Sequence, residues 1–162
     1  MFIRTAGERD LPAIRALLVE TWHATYDQIY GAARVTEVTD EWHSLESLQR
    51  RIERPYSEFI VADDGQTIGG MAYAESDTDG KLVWLRQLYV LPAMQGKGVG
   101  GLLMDEILDA FPDAETVRLD VNEKNTRAID FYQGYGFIQT GSEIDLDGRT
   151  QNLFFERKLG EQ

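Results

Sequence analysis

Leu11, Ile14, Leu17, Leu18 and Trp22 fall at helical spacing along residues 8–24, ERDLPAIRALLVETWHA, and predict a first helix. Asp10 stands at an N-cap position and Pro12 in the first turn. Trp42, Leu45, Leu48 and Ile52 repeat the pattern over residues 40–53 and predict a second helix, which Pro55 ends. Residues 25–36 between them follow no single period. FIRT, at residues 2–5, reads as a short first strand. From Glu58 the rhythm changes. EFIVADD (58–64), TIGGMAYAE (67–75) and KLVWLRQLYVL (81–91) are strand-like runs, with turn signals at Asp64-Gly65 and Asp79-Gly80, and predict an antiparallel meander.

Beyond Pro92 lies a glycine-rich loop. It opens a helix over 99–111, VGGLLMDEILDAF, with Val99, Leu102, Leu103, Ile107 and Leu108 on its apolar face. TVRLDVN (116–122) is a strand. Asn125 starts a short helix that ends near Gly134 and Gly136, and FIQTGSEIDL and RTQNLFFERKL close the chain as two strands. The predicted order is β-α-α-β-β-β-α-β-α-β-β. It defines one α+β domain over residues 1–162, with about seven strands, four helices and a mixed, mostly antiparallel sheet. The βαβ crossover at 84–121 makes its two strands parallel neighbours.

Composition narrows the chemistry. The chain has no cysteine and only two histidines, His23 and His43, which argues against disulfides, a thiolate nucleophile and a metal centre. The formal net charge of −12 and the lack of a basic tract argue against nucleic acid as a partner. No apolar run has the length of a membrane span, and the first residues lack the basic flank of an export signal, so a cytoplasmic protein without a membrane partner is expected.

The loop QGKGVGG (95–101) satisfies the dinucleotide pattern G-x-G-x-x-G. That fingerprint belongs after the first strand of a larger parallel sheet, whereas this loop follows an antiparallel meander with little chain beyond it. Two other readings fit its place. The glycines either allow tight packing of helix on sheet, or free backbone N–H groups at a helix start to cradle a phosphate, with Lys97 adding positive charge.

Two stretches together bear on that choice. LYVLPAMQGKGVGGLL (88–103) resembles the acetyl-CoA-binding segment of the GNAT superfamily of N-acetyltransferases, in which Q/R-x-x-G-x-G/A opens a helix; Gln95, Gly98 and Gly100 fit. LDVNEKNTRAIDFYQGYGF (119–137) is similar to the second segment of that family through Asn125, Ala128, Phe131, Tyr132, Gly136 and Phe137. The resemblance implies a GNAT-like acyltransferase fold, with acceptor-side helices over about 8–53 and an acetyl-CoA-binding core over about 58–158.

It also implies site roles. The diphosphate of coenzyme A would rest on the backbone of Gln95, Gly96, Lys97, Gly98, Val99 and Gly100. Pantetheine would run beside Leu88, Tyr89 and Val90, where a bulge commonly splays the strand, and the Val90 N–H would polarise the thioester carbonyl. Asn125 would help hold the cofactor, and Tyr132 would be the general acid. Asp120 is the candidate base, with Glu75 and a water chain as rivals; Gln87 lies where other members carry an acid. Without a cysteine, the amine would attack the thioester directly in a ternary complex. A non-catalytic acyl-CoA-binding module of the same fold is the alternative. The implied acceptor is a small-molecule or peptide amine held near Trp22, His23, Tyr26, Tyr30, Trp42 and His43. Aromatic and acidic side chains there suit a cationic group, and polyamines, amino sugars, amino acids and peptide N-termini all qualify. Family members are often dimers, so a homodimer is a further implied partner.

Overall fold

Side-chain alternation along the meander divides the molecule into two apolar layers. A computed structural model describes residues 1–160. Its elements in order are β1 (Phe2–Thr5), α1 (Leu11–Tyr30), α2 (Ala32–Trp42), α3 (Leu45–Glu53), β2 (Ser57–Asp63), β3 (Ile68–Ser76), β4 (Leu82–Val90), α4 (Val99–Ala110), β5 (Thr116–Asn122), α5 (Thr126–Gly134), β6 (Ile138–Ile144) and β7 (Gln151–Lys158). The sheet has seven strands in the order β1-β2-β3-β4-β5-β7-β6. Only β4 and β5 run parallel; the remaining pairs are antiparallel. The α+β class, the seven strands and the single parallel pair therefore follow the sequence reading, whereas the place of β7 inside the sheet is new.

Ile60, Ala62, Ala72, Ala74, Val83 and Leu85 point to one face and pack with Val99, Leu103 and Ile107 of α4 and with Tyr132 and Phe137. Phe59, Val61, Met71 and Tyr73 point to the other and meet Ile14, Leu17 and Leu18 of α1 and Leu48 of α3. Gly70 sets the approach of α4. A Cβ there would lie 3.0 Å from Leu103 Cδ1 and 3.1 Å from the Tyr89 carbonyl, so only glycine lets the helix sit this low on β3.

Among the described residues there are five α-helices where the sequence predicts four. The first runs on through residues 25–30, so Tyr26 and Tyr30 lie on α1 rather than in an irregular linker. Gly31, at φ 87°, breaks it, and α2 starts at once. The helix expected over 40–53 is split at His43 and Ser44: Ser44 Oγ accepts from the Ser47 N–H at 3.1 Å and caps a new helix. A polar cap inside an otherwise continuous apolar stripe is invisible to periodicity.

Asp10 precedes α1 as expected but does not cap it with its side chain. Its carboxylate instead accepts from both Arg4 terminal nitrogens at 2.8 and 2.9 Å and from the Gly7 N–H at 2.8 Å. Arg4 Nε also reaches Asp63 at 3.0 Å, so one guanidinium joins β1, β2 and the start of α1. The Arg4 bonds hold the Asp10 pKa down to about 2, from 3.8. Because the unfolded chain takes up this proton first, the contribution is intact above about pH 4 and fades as pH falls toward 2. Urea midpoints should therefore drop more for the wild type than for Asp10→Asn over that interval, and parallel curves would refute the assignment.

Candidate active site

β4 and β5 are paired only where Leu82, Val83 and Trp84 face Thr116, Val117 and Arg118. Beyond that point they diverge. On its other edge β4 shifts register against β3: Gln87 faces Tyr73 and Leu85 faces Ala74, so Arg86 is an extra, bulged residue. A bulge bends its strand and increases local twist, which turns β4 away from β5. Arg86 is held by a bond from Nε to Glu75 Oε1 at 3.1 Å and by stacking 4.8 Å above the Trp84 ring.

The opening between the strands is a cleft of about 420 Å³. Leu88, Tyr89 and Val90 of β4 line one side, with Asp120 and Val121 of β5 opposite, the first turn of α4 above and α5 and α1 as walls. Nine of the ten residues expected to hold the cofactor border this one space: Leu88, Tyr89, Val90, Gln95, Gly96, Gly98, Val99, Gly100 and Asn125. Tyr132 and Asp120 border it too. Lys97 is exposed beside the loop and does not.

Local bonds shape the loop. The Leu91 N–H donates to the Gly69 carbonyl at 2.9 Å. Gln95 Nε2 donates to the Val90 carbonyl at 3.1 Å, which ties the loop back to the end of β4. Gly98, at φ 84° and ψ 4°, is the N-cap of α4, and the first helical bond runs from the Leu102 N–H to its carbonyl at 3.1 Å. The N–H groups of Val99, Gly100 and Gly101 therefore have no partner within the helix, at the positive end of its dipole. A Cβ on Gly98 would meet nothing within 4 Å, so the ground before this helix is open. Such an end binds anions, phosphates among them. Gly100 has a different task. A Cβ there would lie 3.3 Å from the Phe131 ring, so this glycine lets α4 and α5 close on each other.

Asn125 caps α5: its Oδ1 accepts from the Ala128 N–H at 3.3 Å, while its Nδ2 donates to the Tyr26 hydroxyl at 3.4 Å. One side chain thus joins α5 to α1 across the cleft. Tyr132 lies two turns on, on the same side of the helix. Its ring is wedged between Phe131 and Phe137, at centroid distances of 5.6 and 5.8 Å. Burial pushes its pKa up, so the phenol stays protonated at neutral pH. Burial likewise raises Tyr26 and Tyr89.

Asp120 lies exposed on β5 at the edge of the cleft. The surrounding protein still displaces enough water to raise its pKa; Arg86 opposes the shift, and the Asp145 and Glu143 charges add to it. Tyr30, stacked on Tyr26 at 5.3 Å, donates to Asp145 Oδ2 at 2.5 Å. Asn122 Nδ2 donates to the same oxygen at 2.5 Å. Arg149 reaches the Ile29 carbonyl at 3.1 Å, so the 145–150 loop is docked on the end of α1. Glu75 is elsewhere: it is engaged by Arg54, Arg86 and the Tyr73 hydroxyl, outside the cleft. Arg86 and Asp145 were not anticipated; a bulge and a loop contact leave no mark in local sequence. Among the described residues no cluster of His, Asp or Glu is placed to hold a metal ion, and no helix is long and apolar enough to cross a membrane.

A mixed sheet splayed at one parallel pair, with a glycine-cradled helix start at the opening, defines an acyltransferase-type scaffold. The family model of the GNAT acetyltransferase domain matches residues 22–150, and the chain belongs to that family. Over 94 residues it is 34% identical to the peptidyl-lysine N-acetyltransferase YjaB of Salmonella typhimurium, a match covering 57% of this chain and 58% of that protein. A probable N-acetyltransferase of Mycobacterium tuberculosis is 27% identical over 150 residues, covering 91% of this chain and 82% of the other. A PaiA N-acetyltransferase from Thermoplasma acidophilum, solved with coenzyme A, superposes with a TM-score of 0.85 at 24% identity, over 97% of this chain and 98% of that one.

Asn125→Ala should lower stability by about 1 kcal/mol, the usual loss for an N-cap, as read from urea unfolding. An unchanged midpoint would mean that the cap and the Tyr26 bond carry no weight.

Proposed function

We propose that this protein is an N-acetyltransferase that moves the acetyl group of acetyl-CoA to a primary amine. One observation carries the reading: the open helix start at Gly98, the unpaired stretch of β4 ending at Val90 and the protonated Tyr132 all border one cleft. The residues suit the cosubstrate. Free N–H groups of Val99, Gly100 and Gly101 match a diphosphate, and Arg127 at the rim adds positive charge. Along Leu88–Val90 β4 has no strand partner on the β5 side, so the backbone groups facing that side and not taken by Gln95, the Val90 N–H among them, are available to the amides of pantetheine.

In this reading the reaction is a direct transfer in a ternary complex. The amine nitrogen bonds to the acetyl carbon and the carbon–sulfur bond breaks. The Val90 N–H polarises the thioester carbonyl, an oxyanion-hole role. The Tyr132 hydroxyl gives its proton to the departing sulfur; burial keeps that proton on the phenol at neutral pH, so it is present to be given. The amine must lose a proton, and Asp120 takes it directly or through water. Its raised pKa makes it a better base than an aspartate at its ordinary value, and it faces the cleft where Glu75 does not. Asn125 and Gln95 act as positioning groups, one on α5 and one on the loop.

Calorimetric titration should show binding of acetyl-CoA and none of NAD or FAD. Tyr132→Phe should keep that affinity while turnover falls at least about tenfold. Gly98→Val, forced to a positive φ, should lose acetyl-CoA binding with the fold retained by circular dichroism. Tight NAD binding without acetyl-CoA binding would overturn the reading, and full activity in Tyr132→Phe would remove the acid.

A further inference from the structure

The apolar layer beneath α1 and α3 is built from β2 and β3 with Tyr89 of β4, and takes nothing from β5, β7 or β6. On that side of the sheet these three strands carry no helix layer. Val83, Leu119 and Phe155 point the other way, toward α4. Trp84, Arg118, Asp120, Phe154 and Glu156, their neighbours in sequence, therefore share the open side. Register sets them in rows. Glu75 faces Trp84, Trp84 faces Arg118, Arg118 faces Glu156 and Glu156 faces Ile138. The next row holds Asp120 and Phe154. A recess of about 350 Å³ lies over these rows, lined by Trp84, Arg118, Phe154, Glu156, Thr140 and Gly141.

Cations outnumber acids around it. Glu75 Oε1 and Oε2 accept from Arg86 Nε and Arg54 Nε at 3.1 and 2.9 Å. Glu156 Oε2 and Oε1 accept from Arg118 Nε and Lys158 Nζ at 2.7 and 2.9 Å. Every oxygen of the two carboxylates is thus engaged, each by a separate cation. Even with Asp120 counted, positive charge is in excess here, in a chain whose net charge is −12. The two arginines nearest Asp120 are also held in place. Both stack on the Trp84 ring, Arg86 at 4.8 Å and Arg118 at 5.7 Å. Each is tied back through Nε, and their terminal nitrogens make no hydrogen bond among the described residues. The two side chains are 41% and 42% exposed, so these forks are open to solvent. A planar fork fixed in this way matches a carboxylate and loses little freedom on binding one.

We propose that the amine acceptor is a peptide N-terminus followed by an acidic residue, whose carboxylate binds to Arg86 and Arg118 over Trp84. The proposal rests on the acetyltransferase reading for the amine end. Arg86 borders the cleft and Arg118 the recess, so the stack on Trp84 spans the two. Arg118 stands two residues before Asp120 on the same face, roughly 7 Å along β5. An extended peptide advances about 3.5 Å per residue, so with its amine at Asp120 a carboxyl side chain on the next residue reaches that far. The two groups of a free α-amino acid, one carbon apart, do not. Trp84 and Phe154 give the stem of that side chain an apolar bed.

The test uses three peptides with blocked C-termini: Ala-Glu-Ala-amide, Ala-Gln-Ala-amide and Ala-Lys-Ala-amide. With CoA bound to the wild type, calorimetry should give a Kd at least about fivefold lower for the Glu peptide than for the Gln peptide. With acetyl-CoA, kcat/KM should follow the same order through KM rather than kcat, with the Lys peptide slowest. The preference should shrink at about 0.5 M salt, where exposed charges are screened. Arg118→Gln should bring the Glu and Gln peptides together and leave the rate for the Gln peptide unchanged, and Arg118→Glu should put the Lys peptide first. Equal affinities in the wild type would overturn the proposal without any variant having to fold. So would an Arg118→Gln protein that slows all three peptides alike, the mark of a purely structural role. Acetylation of all three at equal rates would overturn the carboxylate site and leave the acetyltransferase intact. A difference in affinity with no peptide acetylated would do the reverse.

Discussion

The cleft depends on two neighbouring strands that stop pairing after three residues. Backbone N–H and C=O groups inside a sheet ordinarily find partners, because leaving them unmet is unfavourable. Here the second half of β4 keeps its β3 partner but has none toward β5. The bulge at Arg86 supplies the bend. Closure is resisted from three sides: α5 wedges Phe131 and Tyr132 into the gap, the start of α4 presses from above, and Tyr26 reaches across from α1. A site lined with unsatisfied backbone is thus built into the architecture rather than added by loops.

Burial then tunes the groups placed there. Desolvation raises Tyr132 and Asp120 alike, but the consequences differ. For a phenol the shift locks the proton in place; for a carboxylate it moves basicity toward the working range. One physical cause therefore separates a candidate acid from a candidate base. Behind the sheet the same cause acts on His43 and keeps its ring neutral beside Arg51. The cleft thus carries an acidic rim around Asp120 and Asp145, while Arg51 and His43 pack together away from it.

Much of this was legible along the chain. Strand alternation between 58 and 91, the parallel pair and the glycine-loop helix follow from local pattern and turn chemistry. The clustering of Gln95, Gly98, Gly100, Asn125 and Tyr132 was foreshadowed by two motifs of known spacing, though spacing alone assigns no role. What escaped was set by tertiary contact. Ser44 reads as one more polar residue in a helix, yet it starts a new one. Tyr26 and Tyr30 follow no clear period, and their helix is stabilised by stacking and by Asp145, more than a hundred residues away. Arg51 carries no sequence signal of its own; it is half-buried because α3 brings its guanidinium beside the Tyr73 ring of β3. Lys97 shows the converse: a cation inside a binding motif is exposed and does not border the space its neighbours enclose.

The place of β7 bears on how the protein comes into being. This strand is the last described element in the sequence but sits inside the sheet, between β5 and β6. As the chain emerges from a ribosome, β1 to β4 and their helices have local partners early. β5 would then hold only its three-residue contact with β4, and β6 would have no neighbour at all. Asp120, whose register partner is Phe154, gains its setting only once that late strand threads between them. Long-range pairing of this kind is slow and leaves strand edges uncovered meanwhile. The half of the molecule that carries Asp120 is therefore the half most exposed to misassembly during synthesis.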